Sequence, residues 1–481
     1  MIGYFASKRI KDTKDYYVGG KKLGFWVVAF SARATGESAW LLLGLTGLGA
    51  MVGVSAFWVV LGEVIGVTIA WFFMAEKFKK LTDDYNSITI PDFLVSRFKS
   101  STHTLRIVAA TALSLFVIIY VSAQIDATGS AFESFLGWNY FSGALVGFII
   151  VLAYIFSGGF VAVAWSDLFQ GSIMLLGLVL LPVFTYFSIS SDIAISEELI
   201  KIDPSFLDIW GAGGFNMVNF FTILGFALIG LGFMGSPQLF IRFMSIKSVA
   251  EIKKGRWVAL LFTVLTDSSA VLIGIFGRYL LTSSGQDPEE ILGNGAQDVL
   301  PFLVQKIMPL TLIGIYIAAV LSAIMSTIDS LLVVASSAIS RDFYQQIFKP
   351  NKSEKELAKI SKIITVILAV FALIIAMIVA ITTPERTIFW FVIFGWSGIA
   401  ATFCPTIILS LFWNRFTEKG AIASMITGFL SVPIFKFGFA SLDGIGIYFE
   451  KLGELGPSFV LAIIIGIVIS LITADPVPKN K

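Results

Sequence analysis

The chain has 481 residues, 57% hydrophobic and only 14% charged, and its 34 Lys and Arg nearly cancel its 32 Asp and Glu. Soluble chains carry about 25% charged residues, so this composition excludes a water-soluble globular protein. A net charge of +2 with no basic arm also excludes a nucleic-acid binder. One cysteine (Cys404) permits no internal disulfide, and one histidine (His103) provides no His/Cys metal centre.

The chain opens on an apolar stretch, 1–6, too short to cross a bilayer and followed at once by the basic segment 7–22. It reads as the remnant of a truncated first transmembrane helix; a short interfacial start is the alternative. Apolar runs of the roughly 20 residues that a span needs then follow at 24–52, 53–75, 105–133, 139–157, 159–188, 214–240, 257–282, 308–340, 363–382, 388–413, 419–438 and 457–474. The runs are continuous rather than alternating, which excludes a transmembrane barrel. The expected fold is an all-α polytopic membrane protein with 12 full spans.

The loops give the orientation. Of the 34 bases, 27 fall in alternate loops beginning with 7–22, six fall in the others, and Arg33 lies within a span. Positive charge marks the cytoplasmic side, so 7–22 and the C-terminus are expected there, with the acidic segments 189–213 and 283–305 outside. This arithmetic places the loop 242–256, Arg242 included, on the cytoplasmic face.

Two spans are interrupted. Ser31-Ala-Arg-Ala-Thr-Gly-Glu-Ser-Ala-Trp40 sets Arg33 and Glu37 among small residues, and Gly230-Leu-Gly-Phe-Met-Gly-Ser-Pro237 ends three glycines with a proline. Such segments unwind to expose carbonyls to ions and solutes at the bilayer midplane, although glycines also serve close packing. The interruptions are five spans apart. An odd offset reverses direction in the membrane, which fits an inverted five-plus-five repeat of 24–188 and 214–413, followed by two additional helices over 419–474.

Ionisable groups inside spans mark cavities or partners; here they are Arg33, Glu37, Glu63, Asp126, Asp167, Asp267 and Asp329. In Ala323-Ile-Met-Ser-Thr-Ile-Asp-Ser330, helical spacing puts Ala323, Ser326, Thr327 and Ser330 on one face with Asp329 flanking it. Hydroxyls, carbonyls and a carboxylate suit a hard cation such as sodium. Arg33 and Glu37, four apart, either neutralise each other or meet the solute. Asp267 and Glu63 read as structural polar contacts.

These residues belong to a wider pattern. Lys14-Asp-Tyr-Tyr-Val-Gly-Gly20, Ser38-Ala-Trp-Leu-Leu-Leu-Gly44, Ile90-Pro-Asp-Phe-Leu-Val-Ser-Arg97, Ser157-Gly-Gly-Phe160, Gly235-Ser-Pro-Gln238, Arg242-Phe-Met244, Met325-Ser-Thr327 and the block from Ser410 to Gly428 occur in order. The sequence resembles the sodium:solute symporters, most closely the sodium/proline branch. The resemblance implies a leucine-transporter-like fold and inward, sodium-coupled symport by alternating access in the plasma (inner) membrane. It implies one sodium held by the carbonyls of Ala34, Glu37 and Ala323 and the hydroxyls of Ser326 and Thr327. Some members have a second sodium near Asp167, Ser326 and Ser330, where Asp329 in this chain would add charge.

For the solute, the resemblance points to a pocket that Tyr120 matches, and this chain's own residues there are Arg33, Gly36, Glu37, Gln124, Ile229 and Phe233. Departures from the proline pattern at Gly36, Ile229 and Phe233 set proline against an amine, a cation or a monocarboxylate. No organic cofactor is expected, and the chain is expected to act as a monomer in the lipid bilayer. A transporter-like solute sensor, an intramembrane enzyme and a sodium channel are the rival readings.

Overall fold

A computed structural model of the chain describes residues 13–155, 159–189, 195–349, 351 and 353–473. The expected remnant at 1–6 and part of the Ser157-Gly-Gly-Phe160 motif lie outside the described residues. Ten helical stretches among the described residues are long and apolar enough to cross a membrane. The first, Phe25–Asp84, has 60 residues; at about 1.5 Å per residue it would run three times the thickness of a hydrocarbon core, about 30 Å. It is divided at Gly53, whose φ is +59° and where a Cβ would lie 2.0 Å from the Phe206 carbonyl oxygen. The run at 139–157 becomes the helix Tyr140–Ile155, with a shorter apolar part, Tyr140–Ala153.

In two of the helices apolarity and burial run opposite to their order in water. Glu356–Thr382 has the highest mean hydropathy, 3.2, with 28% of its apolar window buried, whereas Ile388–Phe412, at 1.8, is 89% buried. Phe73, Leu176, Leu261 and Phe371 stand exposed on the periphery. So continuous an apolar surface has lipid as its solvent.

Within the bundle, Gly159–Ser188 packs on Phe25–Ala39 and on Leu310–Ser337, and Ile388–Phe412 packs on Thr104–Leu136 and the turn Ile229–Met234. One close crossing is made by glycines. A Cβ on Gly230 would sit 1.9 Å from the Gly62 carbonyl oxygen, and one on Gly66 would sit 2.0 Å from that of Gly230. Backbones that touch have no space for a methyl group, and overpacking costs about 1–3 kcal/mol. Gly230→Ala is therefore expected to lower the melting temperature in detergent; an unchanged melt would mean that these helices separate freely.

Both interruptions are present. Ser38 takes φ 50° and ψ −165° inside Phe25–Ala39, and a π-helical turn, Trp40–Leu45, follows. The second interrupted span runs as a helix, Met217–Leu228, a tight turn, Ile229–Met234, and Gly235 at φ 154°, before Pro237 restarts the helix Pro237–Ser245. Proline suits that place because a first-turn N–H has no helical partner to lose.

The segments beside the two broken helices are stitched together. Leu23 N–H donates to the Ser245 carbonyl (3.1 Å), Lys247 N–H donates to the Leu23 carbonyl (2.8 Å), and Phe25 N–H donates to Glu251 Oε2 (3.0 Å). This Leu23–Ile246 bridge is the one strand-like pairing among the described residues. One expectation is corrected here. Arg242, assigned to a cytoplasmic loop, lies inside Pro237–Ser245 and is fully buried.

Candidate functional site

The helix Leu310–Ser337 lays its hydroxyl face against the first broken helix. Ser326 Oγ lies 3.0 Å from the Ala34 carbonyl and 2.9 Å from that of Ala323. Thr327 Oγ1 lies 3.1 Å from the carbonyls of both Thr35 and Ala323. All these residues are buried, so two hydroxyls and three carbonyls converge where water does not compete. The Glu37 carbonyl accepts the Trp40 N–H at the break. Thr35, not singled out from the sequence, also joins: its hydroxyl lies 2.9 Å from Ser330 Oγ.

The residues expected around a second sodium already hold a cation of the protein's own. Asp167 Oδ2 accepts from Ser31 Oγ (2.6 Å) and from Arg242 Nη2 (3.0 Å). The same Nη2 donates to Ser330 (2.5 Å) and Thr35 (2.6 Å), and Nε donates to Ser31 (2.9 Å). The Ser330 hydroxyl lies 3.3 Å from Asp329 Oδ1. Arg242 was missed as a site residue because sequence alone treats a base beside a loop as cytoplasmic. Its neighbours, Leu239-Phe-Ile-Arg-Phe-Met244, are too apolar for a water-facing turn, and that was the available signal.

Gly36, Tyr120, Ile229 and Phe233 come together around a residue that the sequence did not single out, Trp396. Its indole donates to the Ile229 carbonyl (3.1 Å) and packs 5.0 Å from the Phe233 ring and 6.4 Å from the Tyr120 ring. Phe233 lies over Gly36, where a Cβ would come within 2.9 Å of the ring, and the Arg33 guanidinium covers Phe233 at 4.7 Å. Arg33 pairs with Glu37, one helical turn on, and with Glu63 at 3.3 Å.

Gln124 does not face this pocket alone; it spans the helix break. Its Oε1 accepts the Ala39 N–H (3.1 Å) and its Nε2 donates to Ser38 Oγ (3.3 Å). Leaving a buried donor unpaired costs about 1–3 kcal/mol. Gln124→Leu should therefore depress uptake and melting temperature together, whereas Gln124→Glu keeps the acceptor for Ala39 and should retain most of both. Equal behaviour of the two variants would remove this role.

Asp126 is elsewhere. It pairs with Arg386 (Nε at 2.9 Å) and with Tyr140 at the rim of a separate cavity of about 370 Å³ that also includes Glu133, Gln297 and Asp298.

A family model for the sodium:solute symporter family matches residues 16–428. The chain belongs to this family. Among its curated relatives, the high-affinity proline transporter PutP of Bacillus subtilis is 35% identical over 99% of this chain and 96% of the relative. The sodium/proline symporter of Escherichia coli is 33% identical over 99% of this chain and 91% of its own. Of solved structures, a Na+-coupled sialic acid symporter in a substrate-bound outward-open state superposes with a TM-score of 0.77 at 19% identity, covering 98% of this chain and 95% of that one. MhsT in complex with L-phenylalanine gives 0.53 at 16% identity, covering 93% and 98%. The sodium:solute symporter is thus a multi-pass membrane transporter rather than an enzyme, and sodium is the ion that drives it.

Proposed function

We propose that this symporter imports proline or a closely similar small amino acid with sodium, by alternating access in a leucine-transporter-like fold. The observation that carries the reading is the convergence of the Ser326 and Thr327 hydroxyls on the carbonyls of Ala34, Thr35 and Ala323, one turn from the break at Ser38. Sodium takes oxygens of this kind, and Ala34, Glu37, Ala323, Ser326 and Thr327 are its assigned ligands. Sodium there would join the first broken helix to Leu310–Ser337 and fix the break in the shape that receives the solute. Each ligand must then raise the other's affinity by the same factor.

The solute is assigned to the space bounded by Gly36, Tyr120, Ile229, Phe233 and Trp396. Phe233 lies over Gly36, so a bound solute requires this ring to swing aside. Arg33 and Asp126 are both paired within the protein, which favours a solute without net charge over a cation or a monocarboxylate. Asp167 is assigned to Arg242 rather than to a second ion.

The repeats are assigned to 24–188 and 214–413, with 419–474 appended, in twelve spans, and the segment 7–22 and the C-terminus to the cytoplasm. The protomer is assigned as the working unit. Uptake of radiolabelled L-proline into proteoliposomes, with sodium or with potassium outside, tests the reading. Accumulation above the outside concentration only with inward sodium is expected. Equilibration without accumulation would point to a sensor or a leak instead.

A further inference from the structure

Three carboxylates from three helices meet at one buried point. Glu37 comes from Phe25–Ala39, Glu63 from Phe57–Ile69 and Asp267 from Val249–Leu281. One oxygen of each lies within 4.8 Å of the others, and their exposures are 0%, 1% and 0%. Arg33 takes one side, donating to Glu37 Oε1 and Glu63 Oε2, and Thr266 Oγ1 donates to Asp267 Oδ1 at 3.0 Å. Glu37 Oε2 and Asp267 Oδ2 are buried with no hydrogen-bond partner among the described residues.

One guanidinium cannot balance three ionised carboxylates, and an uncompensated buried charge costs several kcal/mol, so the cluster takes up either protons or a cation. Glu37 Oε2 and Asp267 Oδ2 are the oxygens at which a cation would bind. Carboxylate oxygens within 4.8 Å of one another, on residues at 0–1% exposure, leave room between them for a bare monatomic ion and not for an organic amine.

We propose that Glu37, Glu63 and Asp267 form a second sodium site. The proposal rests on the sodium-symport reading above and adds an ion to it. Glu37 belongs to both sites, through its carbonyl to the first and through its carboxylate to the second. The two ions would then share one residue beside the helix break, and filling one would order the residue that the other uses. Arg33 keeps the carboxylates oriented and leaves the face toward Glu37 Oε2 and Asp267 Oδ2 open.

The test is equilibrium binding of radiolabelled sodium to the purified full chain in detergent at fixed pH, counted per protomer. Two ions are expected in the wild type, with one remaining in Asp267→Asn and one in Ser326→Ala. Glu63→Gln, which keeps the side chain's shape, is expected to weaken the second ion at least tenfold, and a melting curve shows that each variant is folded. One ion per wild-type chain, abolished by Ser326→Ala and kept by Asp267→Asn, would overturn the second site and leave the symport reading standing. No bound sodium in the wild type would overturn both. The wild-type count alone decides against the proposal even if no variant folds.

Discussion

Ser326→Ala or Thr327→Ala should raise the sodium concentration for half-maximal uptake on the order of tenfold, with a modest fall in melting temperature. The two hydroxyls face carbonyls of the broken helix at 3.0 and 3.1 Å, so each loss removes one oxygen and leaves a carbonyl unpaired in a buried place. A lost polar contact of this kind is worth about 1–3 kcal/mol, and 1.4 kcal/mol is a factor of about ten. Ser326→Thr and Thr327→Ser keep an oxygen and should recover most of the affinity. By the same linkage, the solute's half-saturation should rise at low sodium and return toward wild type at high sodium. A sodium titration of uptake that does not move in either alanine variant would remove these residues from the ion's coordination.

The second large effect is expected at Arg242. Its guanidinium connects three helices: it reaches Asp167 on Gly159–Ser188, Ser31 and Thr35 on Phe25–Ala39, and Ser330 on Leu310–Ser337. Arg242→Met strands the Asp167 carboxylate at zero exposure, and breaking a buried pair costs about 3–5 kcal/mol. The variant should be recovered at a small fraction of the wild-type yield, with a markedly lower melting temperature. Adding Asp167→Asn should restore stability, because the charge needing a partner is then gone, while transport remains impaired because the three helices are no longer tied. If Arg242→Met alone melts like the wild type, the guanidinium is not what holds Asp167.

What the sequence discloses here depends on how far apart the partners are along the chain. The hydroxyl face at Ala323 to Ser330 is legible because three- and four-residue spacings bring its members together within one helix. The breaks are legible because glycine, proline and intramembrane charge disrupt an apolar run where they stand, and Ser38 and Gly235 fall within the two expected segments. The Arg33–Glu37 pair is legible as one helical turn.

Glu63 and Asp267 are not legible in this way. Each looks like an isolated polar residue until folding brings its helix beside the Phe25–Ala39 helix, and no local period connects positions so far apart. Arg242 was assigned to the wrong place for a related reason: the loop rule weighs a base by its position between spans, not by an acid that approaches from another helix. Trp396 carried no signal, since one tryptophan in an apolar span resembles any other, and only packing shows that its indole reaches the Ile229 carbonyl.

The backbone pairing of Leu23 with Ile246 has a consequence for heredity and for engineering. A tie made of peptide groups is nearly blind to side-chain change, so drift at positions 23, 246 and 247 leaves it intact, and conventional alanine scanning passes over it. Proline is the exception, since it deletes a donor. At Lys247, whose N–H makes the shorter of the two backbone bonds, 2.8 Å, that one substitution would loosen the tie between the segments beside the two broken helices without changing any residue assigned to ion or solute.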